Sequence, residues 1–130
     1  MNGPIVAYLA YKFSYDPTKN TAEARKMAIN IMKKHPDWFV LVPHYTCDAM
    51  LDGTVNWRKH WSNFDKWRRL QAGKMSFAFL SKCDMLILGC EPEYSESHGV
   101  TWEYIFTQIL NASYRKDNPI KVIRYEEALK

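Results

Sequence analysis

Four apolar runs of strand length punctuate this chain, and the apolar positions between them recur at helical spacing. Ile5-Val6-Ala7-Tyr8-Leu9-Ala10 is almost wholly apolar, as buried parallel strands are. Residues 11–19 read as a loop with an Asp16-Pro17 turn. Asn20 or Thr21 then caps a helix, with Glu23 placed to support the cap. Ala24, Met27, Ala28, Ile31 and Met32 form its stripe, and His35-Pro36 ends it. A second strand runs over 38–42 and closes at Pro43-His44. Residues 44–62 have no clear period, hold an Asp52-Gly53 turn signal, and are long enough for a functional loop. A helix is expected over 62–81, with a possible break near Gly73. Met85-Leu86-Ile87-Leu88 is the third strand. A helix from Gly99 to about Ser113 follows, its apolar face expected to comprise Trp102, Ile105, Phe106, Ile109 and Leu110. Asp117-Asn118-Pro119 turns the chain into an edge strand at 120–123, and 126–130 forms a short helix. Strands alternating with helices predict an α/β fold with a mostly parallel sheet of four to five strands and right-handed crossovers.

At 130 residues the chain suits one domain with a proper core. No repeat, low-complexity tract or linker divides it. Five Trp and eight Tyr are many for this length, and core plus subunit interface is the plainer use for them. No apolar stretch approaches a membrane span, and Met-Asn-Gly-Pro lacks the pattern of a secretory signal, so a cytoplasmic protein without membrane association is expected. Cys47, Cys83 and Cys90 show no C-x-x-C spacing, and the four histidines no H-x-x-x-H pair, so neither a disulfide framework nor a metal site is expected. Cys83 and Cys90 flank the third strand as small apolar residues.

The net charge of +4 changes the picture a little. Arg58, Lys59, Lys66, Arg68, Arg69 and Lys74 crowd one segment, interleaved with Trp57, Trp61 and Trp67. Such interleaving can bind nucleic acid. A solvated basic helix face is the simpler reading, and a small anionic ligand would also explain it.

The candidate chemistry lies at 81–104. Ser97-His98-Gly99 opens the helix after the third strand, and Glu103 falls in its second turn. That places a carboxylate at the carboxyl end of a strand, where open α/β sheets bind ligands. The helix start offers free N–H groups to an anion. His44, after the second strand, is at the same end of the sheet. No G-x-G-x-x-G or G-x-x-x-x-G-K-[ST] appears, which argues against a dinucleotide dehydrogenase or P-loop NTPase. Asp84 reads as a residue that holds the start of its strand. Glu91, Glu93 and Glu96 read as solvated charges.

Three pieces in order resemble the nucleoside 2-deoxyribosyltransferase superfamily, over about residues 5–110. They are Ala7-Tyr8-Leu9-Ala10; Val42-Pro43-His44; and Cys83-Asp84, the apolar strand, then S-x-G-x-x-x-E as Ser97-His98-Gly99-Val100-Thr101-Trp102-Glu103. The likeness is greatest to the small phage and bacterial members. It implies a flavodoxin-like three-layer sandwich and chemistry at the N-glycosidic bond of a 2′-deoxynucleoside, with no cofactor. Glu103 would be the nucleophile that forms a covalent glycosyl-enzyme, as in retaining glycosidases. Tyr8 would orient it. Ser97, six residues before the nucleophile, matches the serine that binds a 5′-phosphate in the superfamily's monophosphate N-glycosidase branch. With His98, Gly99, His44 and Lys12, it makes the expected substrate-binding set. The resemblance further implies a homodimer or larger homo-oligomer.

Three departures accompany the likeness. The family aspartate that protonates the base would fall at Ser76. Tyr11-Lys12 stands where a Gly-rich turn is common. The polar C-terminal residues that some members lend to a neighbouring subunit have no clear match. Three readings follow: hydrolysis or transfer at a deoxynucleoside 5′-monophosphate, non-catalytic nucleotide binding on the same fold, and nucleic-acid binding through 57–69.

Overall fold

The computed structural model describes residues 4–12, 16–44, 66–92 and 98–130. The order of elements is β1 (Ile5–Ala10), α1 (Pro17–Lys34), β2 (Trp38–Leu41), α2 (Lys66–Leu80), β3 (Met85–Leu88), α3 (His98–Ala112), β4 (Lys121–Arg124) and α4 (Tyr125–Ala128). Every strand pairing is parallel, and the strand order is β2-β1-β3-β4. This is the flavodoxin-like layout, with the direction of winding reversing between β1 and β3.

The two faces of β1 show why the run is wholly apolar. Ala7 and Leu9 pack with Ala24, Ala28 and Ile31 of α1 and Met85 and Ile87 of β3. Tyr8 and Ala10 pack on the other face with Leu80 of α2, Val100 and Leu110 of α3, and Leu86 and Leu88 of β3. Tyr8 is opposite Leu41 on one side and Leu86 on the other, so it sits mid-sheet. β4 is an edge strand, as expected, with Lys121 and Arg124 exposed and Ile123 turned inward.

Asp84 holds the start of β3 as the sequence suggested. Its Oδ2 accepts from the Val6 amide at 2.9 Å, and its own amide and carbonyl bond Val6 and Lys121. Below it, Arg115 donates to the carbonyls of Ser81 and Cys83 at 3.2 and 2.7 Å and to that of Asn118 at 2.9 Å. One guanidinium thus clasps the turn before β3 to the turn before β4.

Three expectations are corrected. Helix α1 begins at Pro17, with Asp16 as its cap accepting from the Lys19 amide at 3.1 Å, rather than at Asn20 or Thr21. Proline suits this first position because its missing N–H would have no helical partner there. Helix α2 runs through Gly73 without a break. Its amino-terminal end, expected at residue 62, and the loop over 45–62 lie outside the described residues. Helix α3 buries only part of the expected face: Leu110 is buried and Phe106 packs against the core. Val100, Glu103, Thr107 and Leu110 point inward, while Trp102 is 56% and Ile109 51% exposed. The inward polar groups are tolerated because each is bonded: the Thr107 hydroxyl donates to the Glu103 carbonyl at 2.9 Å, and the Glu103 carboxylate is held as described next.

Candidate active site around Glu103

Glu103 is 6% exposed. The Tyr8 hydroxyl, 95 residues away in sequence, donates a hydrogen bond to its Oε2. Burial pushes the Glu103 carboxyl up to about 8, and the Tyr8 bond opposes the rise only in part. The carboxyl is therefore protonated in most molecules at neutral pH. The Tyr8 phenol is pushed well above its ordinary value by burial, then by the neighbouring Glu103 charge.

A third group meets this pair. The Ser76 side chain, from the last turns of α2, lies near the Tyr8 phenol and works against the effect of burial by lowering its pKa. Cys83 borders the same phenol. Burial pushes its thiol up to about 11, and its S–H donates to the Phe79 carbonyl at 3.1 Å. It is buried as expected, whereas Cys90 is only half-buried. Cys47 lies outside the described residues.

The elements that bring these residues together are simple. Tyr8 is on the α2/α3 face of the central strand. Glu103 is the position of α3 one turn after buried Val100, so it must face the sheet. Ser76 lies one turn before Leu80, the residue that anchors α2 on the same face.

A second polar set lies on the opposite face, at the carboxyl ends of β1 and β2. The Tyr11 hydroxyl donates to Glu23 Oε2 of α1 at 2.8 Å. Burial, then the Glu23 bond, raises the Tyr11 phenol far above its ordinary value. His44 Nε2 donates to the Lys12 carbonyl at 3.0 Å. Burial holds the His44 imidazole below its usual value and so neutral. Gly89 keeps this junction tight. A Cβ there would fall 2.9 Å from the Tyr11 ring, 3.0 Å from the Ala10 carbonyl oxygen and 3.0 Å from Met27 Cε.

Of the residues named from sequence, Tyr8 and Glu103 are brought into direct contact. Lys12 and His44 meet through a main-chain carbonyl, while the Lys12 ammonium sits 5.8 Å over the adjacent Tyr11 ring. Gly99 is exposed in the first turn of α3, where a Cβ would meet nothing within 4 Å, so close packing does not require glycine there. Ser97 and the His98 side chain lie outside the described residues, as do Glu93, Glu96 and 57–65. Glu91 is not simply solvated: it pairs with Arg124 at 2.8 Å. Sequence reasoning marked Ser76 only as a missing aspartate, and counting back from Asp84 was the signal that put it near the site. The Tyr11–Glu23 bond was missed, because nothing in a twelve-residue separation across a loop announces it.

Among the described residues no three His, Cys, Asp or Glu side chains group as a metal site, and no helix is long and apolar enough to cross a membrane. Comparison with protein-family models, curated proteins and solved structures finds no match to this chain.

Proposed function

We propose that the protein breaks, or exchanges, the N-glycosidic bond of a deoxynucleoside 5′-monophosphate through a covalent intermediate on Glu103. The observation that carries this reading is the buried Tyr8–Glu103 hydrogen bond on the face of the central strand. A carboxylate buried against apolar side chains is costly to keep and is commonly retained for chemistry. With Oε2 held by Tyr8, the ionised carboxylate attacks the anomeric carbon, and the bond to the base breaks with its electron pair leaving on the base. Water then attacks the same carbon, the ester electrons return to Glu103, the proton given up by the water neutralises the departed base by way of solvent, and the anomeric configuration is retained. The start of α3 supports a 5′-phosphate site, since the helix begins at His98 and Ser97 is the residue just before it. The substrate-binding set is Ser97, His98, Gly99, Lys12 and His44, with no metal or organic cofactor. Exposed Trp102 and Ile109 on α3 support a homo-oligomer, which light scattering would measure. The reading carries a cytoplasmic location with it.

The test is incubation with each deoxynucleoside 5′-monophosphate, and separately each nucleoside, followed by chromatography for free base. Release by the wild type and none by Glu103→Ala is the expected result. A second reading is favoured by Ser76. A hydroxyl in place of an acid suits a protein of this fold that binds nucleotides without turnover. Binding in calorimetry with no base released from any substrate would establish it.

A further inference from the structure

We infer that Glu23 is a positioning residue: acting through Tyr11, it fixes the Lys12 ammonium at the carboxyl ends of β1 and β3, where that charge selects a 5′-phosphorylated nucleotide over the uncharged nucleoside. This rests on the nucleotide reading of the site, holds with or without turnover, and identifies the residues that set the substrate class.

The placement comes from the strand order. The winding reverses between β1 and β3, and open α/β sheets take their ligands at such a point. Tyr11 directly follows β1, and Gly89 directly follows β3. The Gly89 amide donates to the Ala10 carbonyl at 2.7 Å, which joins the two ends. The Tyr11 ring lies so close to Gly89 that a Cβ there would fall 2.9 Å from it. The ring therefore stands at the reversal point, and the Lys12 ammonium sits 5.8 Å from its centroid. A cation within about 6 Å of an aromatic centroid is attracted to the ring face.

Two side chains from different elements hold this arrangement. From α1, Glu23 Oε2 accepts the Tyr11 hydroxyl at 2.8 Å and so anchors the far end of the ring. From the segment after β2, His44 Nε2 donates to the Lys12 carbonyl at 3.0 Å. The His44 and Tyr11 rings are 6.4 Å apart and tilted by 34°. The backbone of residue 12 and the ring beside its ammonium are thus each tied down. A lysine that grips an anion loses rotamer freedom, and one already guided loses less. Its ammonium is a compact point charge, which suits a phosphate. Glu23 acts through the Tyr11 ring rather than by touching substrate.

The test is calorimetry on the full chain, comparing each 2′-deoxynucleoside 5′-monophosphate with its nucleoside, a pair that differs only by the phosphate. Where base is released, the two KM values are compared instead and kcat is recorded separately. The readout is the ratio of the two affinities. Lys12→Gln is expected to lower the preference for the monophosphate about tenfold or more. Tyr11→Phe, which keeps the ring and removes its hydroxyl, and Glu23→Ala are each expected to lower it about threefold to tenfold. The double variant should fall no further than either alone, because the two residues act through one bond. Glu23→Gln keeps an acceptor for the hydroxyl and is expected to stay within about twofold of the wild type. Folding is checked by circular dichroism, and Tyr11→Phe decides the matter if Glu23→Ala does not fold. A merely structural role for Glu23 would weaken both ligands alike, or add in full to Tyr11→Phe, and either result would overturn the inference. So would an unchanged ratio in Lys12→Gln, or a wild type that binds both members of each pair equally. A wild type that binds neither member overturns the nucleotide reading as well. The expected pattern of ratios with no base released upholds the inference and overturns the glycosidase reading alone.

Discussion

Replacing Glu103 by Gln keeps the shape of the side chain and an oxygen for the Tyr8 hydroxyl to bond, and removes the charge. In the folded protein the carboxyl titrates at about 8, against an ordinary value of 4.5. Between these values the native state holds a proton that the unfolded chain has lost. Stability therefore falls as pH rises, by up to about 1.4 kcal/mol per unit. Across the 3.5 units from 4.5 to 8 the fall is at most about 5 kcal/mol, complete once both states are ionised. Glutamine does not titrate, so Glu103→Gln is expected to match the wild type near pH 4.5 and to exceed it increasingly up to about pH 9. Urea denaturation followed by tryptophan fluorescence, at each pH unit from 5 to 9, measures the difference. Because a typical domain has only about 5–15 kcal/mol of stability, even half the calculated effect would move the midpoint far. A constant offset between the two proteins at every pH would refute the reasoning, since it would mean that the carboxyl titrates alike in the folded and unfolded chain.

Other outcomes follow from the same geometry. In a protein with glycosidase activity, kcat/KM is expected to rise with pH through about 8 as the nucleophile ionises, and Tyr8→Phe should move that rise to higher pH by removing the bond that favours the charged form; a pH–rate series on both proteins checks it. Gly89→Ala forces a carbon to within 2.9 Å of the Tyr11 ring and 3.0 Å of the Ala10 carbonyl oxygen, and should cost about 1–3 kcal/mol in thermal or urea unfolding. Asp84→Ala removes the acceptor of the Val6 amide at the head of the central strands, for a loss of about 1–2 kcal/mol in the same assay. Asp16→Ala should cost about 1 kcal/mol, whereas Thr21→Ala, inside α1, should cost less than half of that.

The strands were legible because a parallel strand covered on both sides must be apolar at nearly every position, and β1 and β3 are. The start of α1 was not, because Asn20 and Thr21 are good caps by composition while the chain uses Asp16 with Pro17. The face of α3 was legible at Leu110 and Phe106 but not at Trp102 and Ile109, for a more instructive reason. Hydrophobicity alone turns Trp102 and Ile109 inward, but the helix instead buries Glu103 and Thr107, whose bonding partners are distant or main-chain atoms that no local pattern reveals. Glu103 and Tyr8 could be named from the motif, but that Ser76 comes near the Tyr8 phenol depends on how α2 lies against the same face of the sheet, and only the fold supplies that.

The bond between Tyr8 and Glu103 spans 95 of the 130 residues. Closing so long a segment carries an entropic cost that short-range contacts do not, and folding slows as pairings become less local. Tyr8 reaches its partner only when β1 has paired with β3 and α3 has settled over both. The site is therefore a clock for refolding. Helix signal should return first on dilution from denaturant, and the shifted titration of Glu103, with any turnover that depends on it, should return only with the final cooperative phase. For the same reason, a fragment cut between α1 and α2 should carry neither half of the chemistry until the two pieces reassociate.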